Sequence, residues 1–449
     1  MNKSSVIGKI LIAGDLVLKS PLLIGDGAGE TSDNFRDVHV LKNRQGEPFI
    51  PGTSLCGVLR DWLSRTEADE VAEIFGDADA MQSSIQLEDI ILEGGKIIPR
   101  DGVRIDSMTG TGVEGGKYDF EVVERGATGK LNLLINLRGV HASKENSKPE
   151  KIIGVVKLLL KKLSDGIRLG ALTSKGFGLV VVENLNAGIY DFRKKADVAA
   201  WLLGKNSPHK ISPADNQNTA SPQDFVVDAT FKFNSSFIIR DYKVDAADKA
   251  KNISAVTLKS LKDFVIPGTS LKGILRHRAE YIIGKFNIDA AALEKLMGCS
   301  PKNGEKLKSR FIVAESYIAP ENFAEVEHTR TKIDRFTGGT LQGTLFTTKP
   351  AYQKKDALPT LKLHFEIRDA SDAEAGLAIF LLRDLWLGHV AIGGEKSVGR
   401  GTVKGLSAEI NFKGATYKLG ANGNVVDGDR SELENYAAAL KNFAGGDGK

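Results

Sequence analysis

The residues in this chain best suited to chemistry are of the kinds that bind a phosphate group. The segment Pro-Gly-Thr-Ser-Leu-x-Gly-x-Leu-Arg occurs twice, at 51–60 and at 267–276. Free amides and hydroxyls at a helix start can make an anion site, and an arginine two turns later adds charge. The residues of this motif predicted to bind phosphate are Thr53, Ser54, Arg60, Thr269, Ser270 and Arg276.

A glycine-rich turn near the end of each copy is the second predicted phosphate site. It reads Ser-Lys-Gly-Phe-Gly at 174–178 and Lys-Ser-Val-Gly-Arg-Gly at 396–401. Glycine lets a backbone approach an anion closely with its amides directed at it. The predicted binding residues are Lys175, Gly176, Gly178, Lys396, Gly399, Arg400 and Gly401. The alternative is that the glycines only make tight turns and the caps only start helices. Because the set is repeated, we favour a sugar–phosphate backbone held without base reading.

Composition and the remaining motifs argue against several other classes of protein. The seven histidines show no metal-ligand spacing, and the two cysteines are too few for a zinc cluster or a disulfide framework. No nucleophile elbow is present. A net charge of +4 is modest for a nucleic-acid binder. No apolar run approaches the ~20 residues that span a membrane, so a cytoplasmic protein without membrane contact is expected.

The elements that must position these residues are also duplicated. Four segments recur in one order, and the spacing between the copies differs only by loop-sized gaps. We predict modules at 1–205 and 225–449, with residues 206–224 as an exposed linker. Each copy reads strand, helix, strands, helix, strand, which predicts an α+β chain of two tandem ferredoxin-like, RRM-like modules. The predicted opening strands are 7–24 and 226–239, and the predicted second helices are 152–163 and 375–387.

The sequence resembles a known family. The segments PFIPGTSLCGVLR and VRIDSMTGTG and the late glycine turn resemble the backbone subunits of type III CRISPR effector complexes, which belong to the CRISPR-associated RAMP superfamily. Those subunits usually have one module, so this chain resembles a natural fusion of two, typical of III-D-like variants. The resemblance implies a CRISPR guide RNA, a complementary target RNA and other Cas subunits as partners. It also implies β-hairpin thumbs that kink the guide–target duplex, at about 106–125 and 334–350.

The resemblance further implies a target-cleaving aspartate in the loop before the first motif. Asp37, fourteen residues before Pro51, stands at that position, with Asp33 and His39 as alternates. The implied reaction is a transesterification in which the neighbouring 2′-hydroxyl attacks phosphorus and leaves a cyclic phosphate. Asp37 would bind a divalent metal, Mg²⁺ or Mn²⁺, or accept the hydroxyl proton.

The second module departs from this pattern. Fourteen residues before Pro267 lies Ile253, or Ser254 if the loop slips by one residue, while Asp245 and Asp248 lie further upstream. Ile253 and Ser254 cannot bind metal as a carboxylate does, so we predict cleavage in the first module only. Two alternatives stay open: a guide-RNA scaffold without catalysis, and a RAMP endonuclease that processes guide precursors.

Overall fold

The chain divides into two compact units. The computed structural model describes residues 5–27, 38–66, 74–76, 82–139, 149–207, 209–214, 223–242, 245–299, 307–354 and 361–443. One unit comprises Met1–Thr173 and Phe177–Ser221, and the other comprises Ser174–Gly176 and Pro222–Lys449. Part of the segment predicted as an exposed linker is structured: His209–Lys210 forms a strand, and Ile211 is buried.

The first unit is built on one antiparallel sheet with helices against it. Its strands are β1 Val6–Leu18, β2 Phe49–Ile50, β3 Ile85–Leu87, β4 Ile90–Ile91, β5 Ile97–Ile105, β6 Gly112–Val123, β7 Thr128–Arg138, β8 Ile167–Arg168, β9 Leu179–Asp191 and β10 His209–Lys210. Its helices are α1 Gly52–Thr66, α2 Pro149–Asp165 and α3 Lys195–Leu202.

The order of strands in that sheet is β10-β9-β1-β7-β3, with α1 between β1 and β3 and α2 between β7 and β9 in sequence. This is the ferredoxin-like order. Alternation along β1 places Ile10, Ile12 and Leu16 on the buried face, as period-two patterning requires. Leu59 of α1 and Leu160 of α2 complete the same core.

The second unit repeats this plan with additional small sheets. Its strands are β11 Phe225–Phe233, β12 Ser236–Phe237, β13 Arg240–Asp241, β14 Ile253–Thr257, β15 Lys259–Ser260, β16 Asp263–Ile266, β17 Phe311–Val313, β18 Ser316–Ile318, β19 Phe323–Glu325, β20 His328–Arg330, β21 Phe346–Lys349, β22 Ala351–Gln353, β23 Leu361–Ile367, β24 Val403–Phe412, β25 Ala415–Leu419 and β26 Val425–Asp427. Its helices are α4 Ala246–Ala250, α5 Gly268–Lys285, α6 Ala290–Met297, α7 Asp372–Trp386 and α8 Arg430–Lys441.

The main sheet of this unit has the order β17-β23-β11-β24-β25-β26, so its first four members again follow the ferredoxin-like order. The predicted α+β class and the tandem ferredoxin-like modules are therefore confirmed. Both opening strands end earlier than predicted, at Leu18 and Phe233. Among the described residues, no helix is both long and apolar enough to cross a membrane.

The thumb hairpins begin earlier in the sequence than predicted. In the first module β5 pairs with β6, so residues 106–111 are the tip of a hairpin that begins at Ile97. In the second module β20 pairs with β21 and residues 331–345 lie between them. The expected ranges 106–125 and 334–350 each omitted the first strand.

Candidate nucleic-acid interface

The predicted cleaving residue, Asp37, and its alternate Asp33 lie outside the described residues. The chain is described again from Val38, which pairs in parallel with Phe120 near the base of the first hairpin. His39 follows, with Nδ1 3.5 Å from Oε2 of the buried Glu121. The same carboxylate accepts a 3.3 Å hydrogen bond from the backbone amide of Val40. The first described residue after Asp37 therefore lies at the base of the hairpin.

Two more carboxylates face each other across this hairpin. Asp101 on β5 is the cross-strand partner of Asp119 on β6, and Phe120 is the next residue along. Within the described ranges, however, no group of three or more His, Cys, Asp or Glu side chains is arranged to hold a metal ion. The described residues thus do not form a metal site by themselves.

Backbone pairing aligns the two modules around this loop. The Leu41 amide donates to the Ile24 carbonyl at 2.8 Å, and in the second module the Leu258 amide donates to the Ile239 carbonyl at 2.8 Å. In this register the counterpart of Asp37 is Ser254.

Other positions agree with the same register. Val38 pairs with Phe120 in parallel, and Ala255 pairs with Thr348 in parallel. The first module has His39 and Glu121 where the second has Val256 and Lys349, and the Asp101–Asp119 pair is replaced by Thr329 and Thr347.

The upstream aspartates of the second module are already engaged. Lys349 forms an ion pair with Asp248 at 2.9 Å, and Asp248 is buried. Asp245 caps α4 by accepting a hydrogen bond from the Asp248 amide. Both carboxylates therefore have structural roles.

The Pro-Gly-Thr-Ser motifs start helices as predicted, but their hydroxyls do not cap them. Helix α5 has Pro267 at its N-cap with no side-chain cap. At the start of α1 the Gly52 amide donates to the carboxylate of Asp89 at 2.8 Å. This helix end in the first module is thus already faced by an anionic side chain, which weakens its attraction for a phosphate. Thr53 and Arg60 are exposed, whereas Ser54, Thr269 and Ser270 are partly buried.

Three other basic residues predicted to bind phosphate, Arg276, Lys396 and Lys175, differ in their exposure to solvent. Arg276 is partly exposed and donates to the Gly298 carbonyl at 2.8 Å. Lys396 is exposed. Lys175 is partly buried, and burial lowers its pKa.

The glycine-rich turns use their amides inside the protein. The Gly178 amide donates to the Pro21 carbonyl at 2.7 Å, and the Gly401 amide donates to the Ser236 carbonyl at 2.8 Å. The Gly399 amide donates to the Lys396 carbonyl at 3.0 Å. These three amides cannot also point at a phosphate, so the tight-turn alternative describes them. Gly176 is buried and also has a positive φ.

Arg400 is buried rather than presented to solvent. Its guanidinium donates to Oε2 of Glu395 at 2.7 Å and to the hydroxyls of Ser236 and Tyr352. It also contacts Nδ1 of His328 at 3.1 Å. With only 4% of its surface exposed, Arg400 holds the turn together and is not presented at the surface as predicted.

The two hairpin tips have the same turn. Oδ1 of Asp106 and Oδ1 of Asp334 each accept hydrogen bonds from the backbone amides two and three residues later. These amide bonds lower the pKa of Asp334. The turns leave Met108 92% exposed and Phe336 fully exposed.

The comparisons with known proteins agree with this duplicated architecture. A family model described as the RAMP superfamily matches residues 15–181 and 230–404, once in each predicted module. The chain belongs to the RAMP superfamily. A similar curated protein is the CRISPR system Cms endoribonuclease Csm3 of Methanocaldococcus jannaschii. The two are 23% identical over an alignment of 215 residues, which covers 40% of this chain and 81% of the relative.

One basic residue of this RAMP chain was missed by sequence reasoning. Lys272 occupies the variable position of the first motif, where the other module has Cys56. It is buried, and its ammonium donates to the Ser309 hydroxyl at 2.7 Å and to the Phe311 carbonyl at 2.8 Å. Burial lowers the pKa of Lys272 to about 7. The sequence could have indicated this burial in one way: the helical spacing of the motif places the lysine near the core.

Replacing Lys272 should change how stability depends on pH. Its pKa is 10.5 ordinarily and about 7 in the fold, so between these values the unfolded chain binds more protons. Stability therefore rises with pH across this window, by on the order of 1 kcal/mol per pH unit. Lys272→Met should remove that slope in urea unfolding at pH 7, 8 and 9, whereas the exposed Lys295→Met should keep it. Equal slopes in wild type and Lys272→Met would contradict the lowered pKa of this buried lysine.

Proposed function

We propose that this RAMP protein is a subunit of a type III CRISPR ribonucleoprotein effector complex. In the proposal, both modules hold the backbone of the guide RNA, and the first module cleaves a complementary target RNA. The observation that carries it is the ferredoxin-like RAMP module present twice in one chain, each copy with a motif helix, a glycine-rich turn and a projecting hairpin. The relative named as a CRISPR endoribonuclease supports the same class of activity.

The proposed reaction is a transesterification in the first module. The 2′-oxygen of the target attacks the adjacent phosphorus, and the bond from phosphorus to the 5′-oxygen breaks. The 5′ fragment then ends in a cyclic phosphate, and the leaving 5′-oxygen takes a proton from water, so the 3′ fragment begins with a hydroxyl. Asp37 is the proposed acceptor of the 2′-hydroxyl proton. The expected cofactor is a divalent cation, Mg²⁺ or Mn²⁺, which Asp37 would bind.

The second module is proposed to bind without cleaving. Its counterpart of Asp37 is Ser254, and Val256 and Lys349 replace His39 and Glu121. Thr329 and Thr347, whose hydroxyls lie 2.9 Å apart, replace a pair of aspartates. The four carboxylates Asp37, Asp101, Asp119 and Glu121 of the first module are thus exchanged for a hydroxyl or an ammonium group.

The experiment that tests guide binding is purification of the chain with its associated RNA. We expect a short RNA of repeat–spacer type to co-purify. The triple variant Arg60→Ala, Lys175→Ala, Arg276→Ala should retain less of it at high salt, because phosphate contacts dominate affinity. The slope of log K against log salt should fall by roughly 0.7 to 0.9 per lost contact.

A matched control is available for this triple variant. Arg193→Ala and Arg430→Ala remove exposed arginines that pair with nearby carboxylates, so they change charge without touching either motif. They should retain RNA as the wild type does. Full retention by the triple variant in high salt would place the RNA on another surface.

A further inference from the structure

A cluster of charged residues surrounds Glu395 in the second module. This carboxylate is buried, with 2% of its side chain exposed. Its Oε2 accepts from Nε of Arg400 at 2.7 Å and is paired with the guanidinium of Arg330. Its Oε1 lies 3.7 Å from Nη2 of Arg240 and accepts from the Thr348 hydroxyl at 3.2 Å. We call Arg240, Arg330 and Arg400 the arginine cluster.

The charges of this cluster do not balance. Among the described residues, three guanidinium groups pair with one carboxylate, which is an excess of two positive charges within the cluster. Burial alone would raise the pKa of Glu395, but the hydrogen bond from Arg400 and the charge of Arg330 outweigh it and lower the pKa.

The members of the cluster divide into one internal arginine and two outer ones. Arg400 is buried, and its donors go to Glu395, Ser236, Tyr352 and His328, as described above. Arg240 is 44% exposed and Arg330 is 26% exposed. Glu395 and Arg400 therefore fix two guanidinium groups whose outer parts can meet an anion.

The first module shows that the fold does not need these charges. Gly25 pairs with Val40 as Arg240 pairs with Thr257, and Gly102 pairs with Tyr118 as Arg330 pairs with Phe346. The turn residues before the paired glycines, Leu172 and Glu395, share a φ of 56°. The uncharged residues Gly25, Gly102, Leu172 and Phe177 of the first module correspond, in that order, to Arg240, Arg330, Glu395 and Arg400 of the second.

Burying a charge network costs desolvation energy that an apolar set avoids. Since the first module forms the same turn with apolar residues, packing does not account for the charges of the second. We propose that Arg240 and Arg330 bind a phosphodiester of RNA at the hairpin base of the second module, an inference that rests on the proposed function.

RNA suits this site better than an acidic protein surface. Guanidinium groups form strong charge-assisted hydrogen bonds with phosphate oxygens, and here two guanidinium groups are held by one buried carboxylate. The Arg330 guanidinium lies 5.2 Å from the centroid of the Phe346 ring, and that residue is 42% exposed. Proteins that bind single-stranded RNA combine basic groups for the backbone with exposed aromatic rings on which bases stack, and this site offers both.

The test uses the full chain loaded with its guide RNA. Arg240→Ala should weaken binding of RNA about tenfold and reduce the salt slope by about one contact. The matched control is Arg383→Ala, since Arg383 is 54% exposed and pairs at 3.0 Å with Asp384, a carboxylate only 1% exposed. A fourfold variant that installs the first module's residues, Arg240→Gly, Arg330→Gly, Glu395→Leu and Arg400→Phe, removes the cluster without leaving a buried charge unpaired.

The outcomes show whether the phosphate belongs to guide or target RNA. They also separate a failure of the proposed phosphate site from a failure of the proposed function. Loss of target affinity with guide retained assigns the site to target RNA, and loss of guide retention assigns it to the guide; both support the proposal. Unchanged RNA binding by Arg240→Ala and by the fourfold variant overturns it, as does a loss of subunit assembly alone. If the wild-type chain binds no RNA, the proposed function itself fails.

Discussion

Replacing Asp37 by alanine is expected to abolish one cleavage of the target RNA while guide binding and stability persist. Loss of a group that accepts a proton or binds a metal typically costs about 10²-fold or more in rate. The substitution removes one loop carboxylate and no described packing contact. The measurement is single-turnover cleavage of a labelled target by the guide-loaded complex with Mg²⁺ or Mn²⁺, with the 5′ fragment examined for a cyclic phosphate.

Several variants make this result specific. Ser254→Ala, at the corresponding position of the second module, should leave cleavage unchanged. Asp33→Ala and His39→Ala test the alternates in the same loop, and chelation of divalent cations should stop the reaction. Cleavage at the wild-type rate by Asp37→Ala would refute the assignment. If no variant and no metal condition gives cleavage while guide RNA is bound, the chain is a scaffold without catalysis.

Gly401→Ala should destabilise the second module by at least about 3 kcal/mol. The backbone at Gly401 has a φ of 77°, and a Cβ there would lie 1.9 Å from the Ile392 carbonyl oxygen. This oxygen belongs to the backbone of the same turn, so it cannot move away from the added Cβ as a flexible side chain could. Urea unfolding followed by tryptophan fluorescence would measure the loss, and soluble yield would report a failure to fold.

Gly399→Ala is the control, two residues away. Its φ is 82°, but a Cβ would meet nothing within 4 Å. This variant should lose only the cost of a left-handed conformation, about 1–2 kcal/mol. If the two variants were equally stable, close backbone approach would not explain the glycine at 401.

The sequence predicts most of the fold because the signals are local and occur twice. The alternation along β1 and β11 and the helical spacing after Pro51 and Pro267 can be read from the order of apolar and polar residues, which shows which face is buried. The first hairpin strand, Ile97–Ile105, was missed for the opposite reason. It projects from the sheet, has exposed residues along most of its outer half and therefore lacks a strict period.

The site was predicted less completely because its partners are distant in sequence. Arg400 stands beside two glycines, which suggests exposure, yet it bonds to Ser236 and Tyr352, 164 and 48 residues away. No local pattern predicts that pairing. Lys272 was missed likewise, since its burial depends on residues such as Ser309 that loop and strand geometry bring close.

Because the hairpin bases of the two modules differ, their presence in one chain fixes the ratio in which the two kinds of module are made. The first carries His39 and Glu121, and the second carries Val256 and Lys349, with the arginine cluster nearby. If the modules were separate polypeptides, their ratio would depend on the expression levels of two genes. Specific contacts between them would also be needed to set their order in an assembly. In one chain, each round of translation delivers one of each kind in a set order. The two unlike modules are thus always made in a one-to-one ratio and in a fixed order.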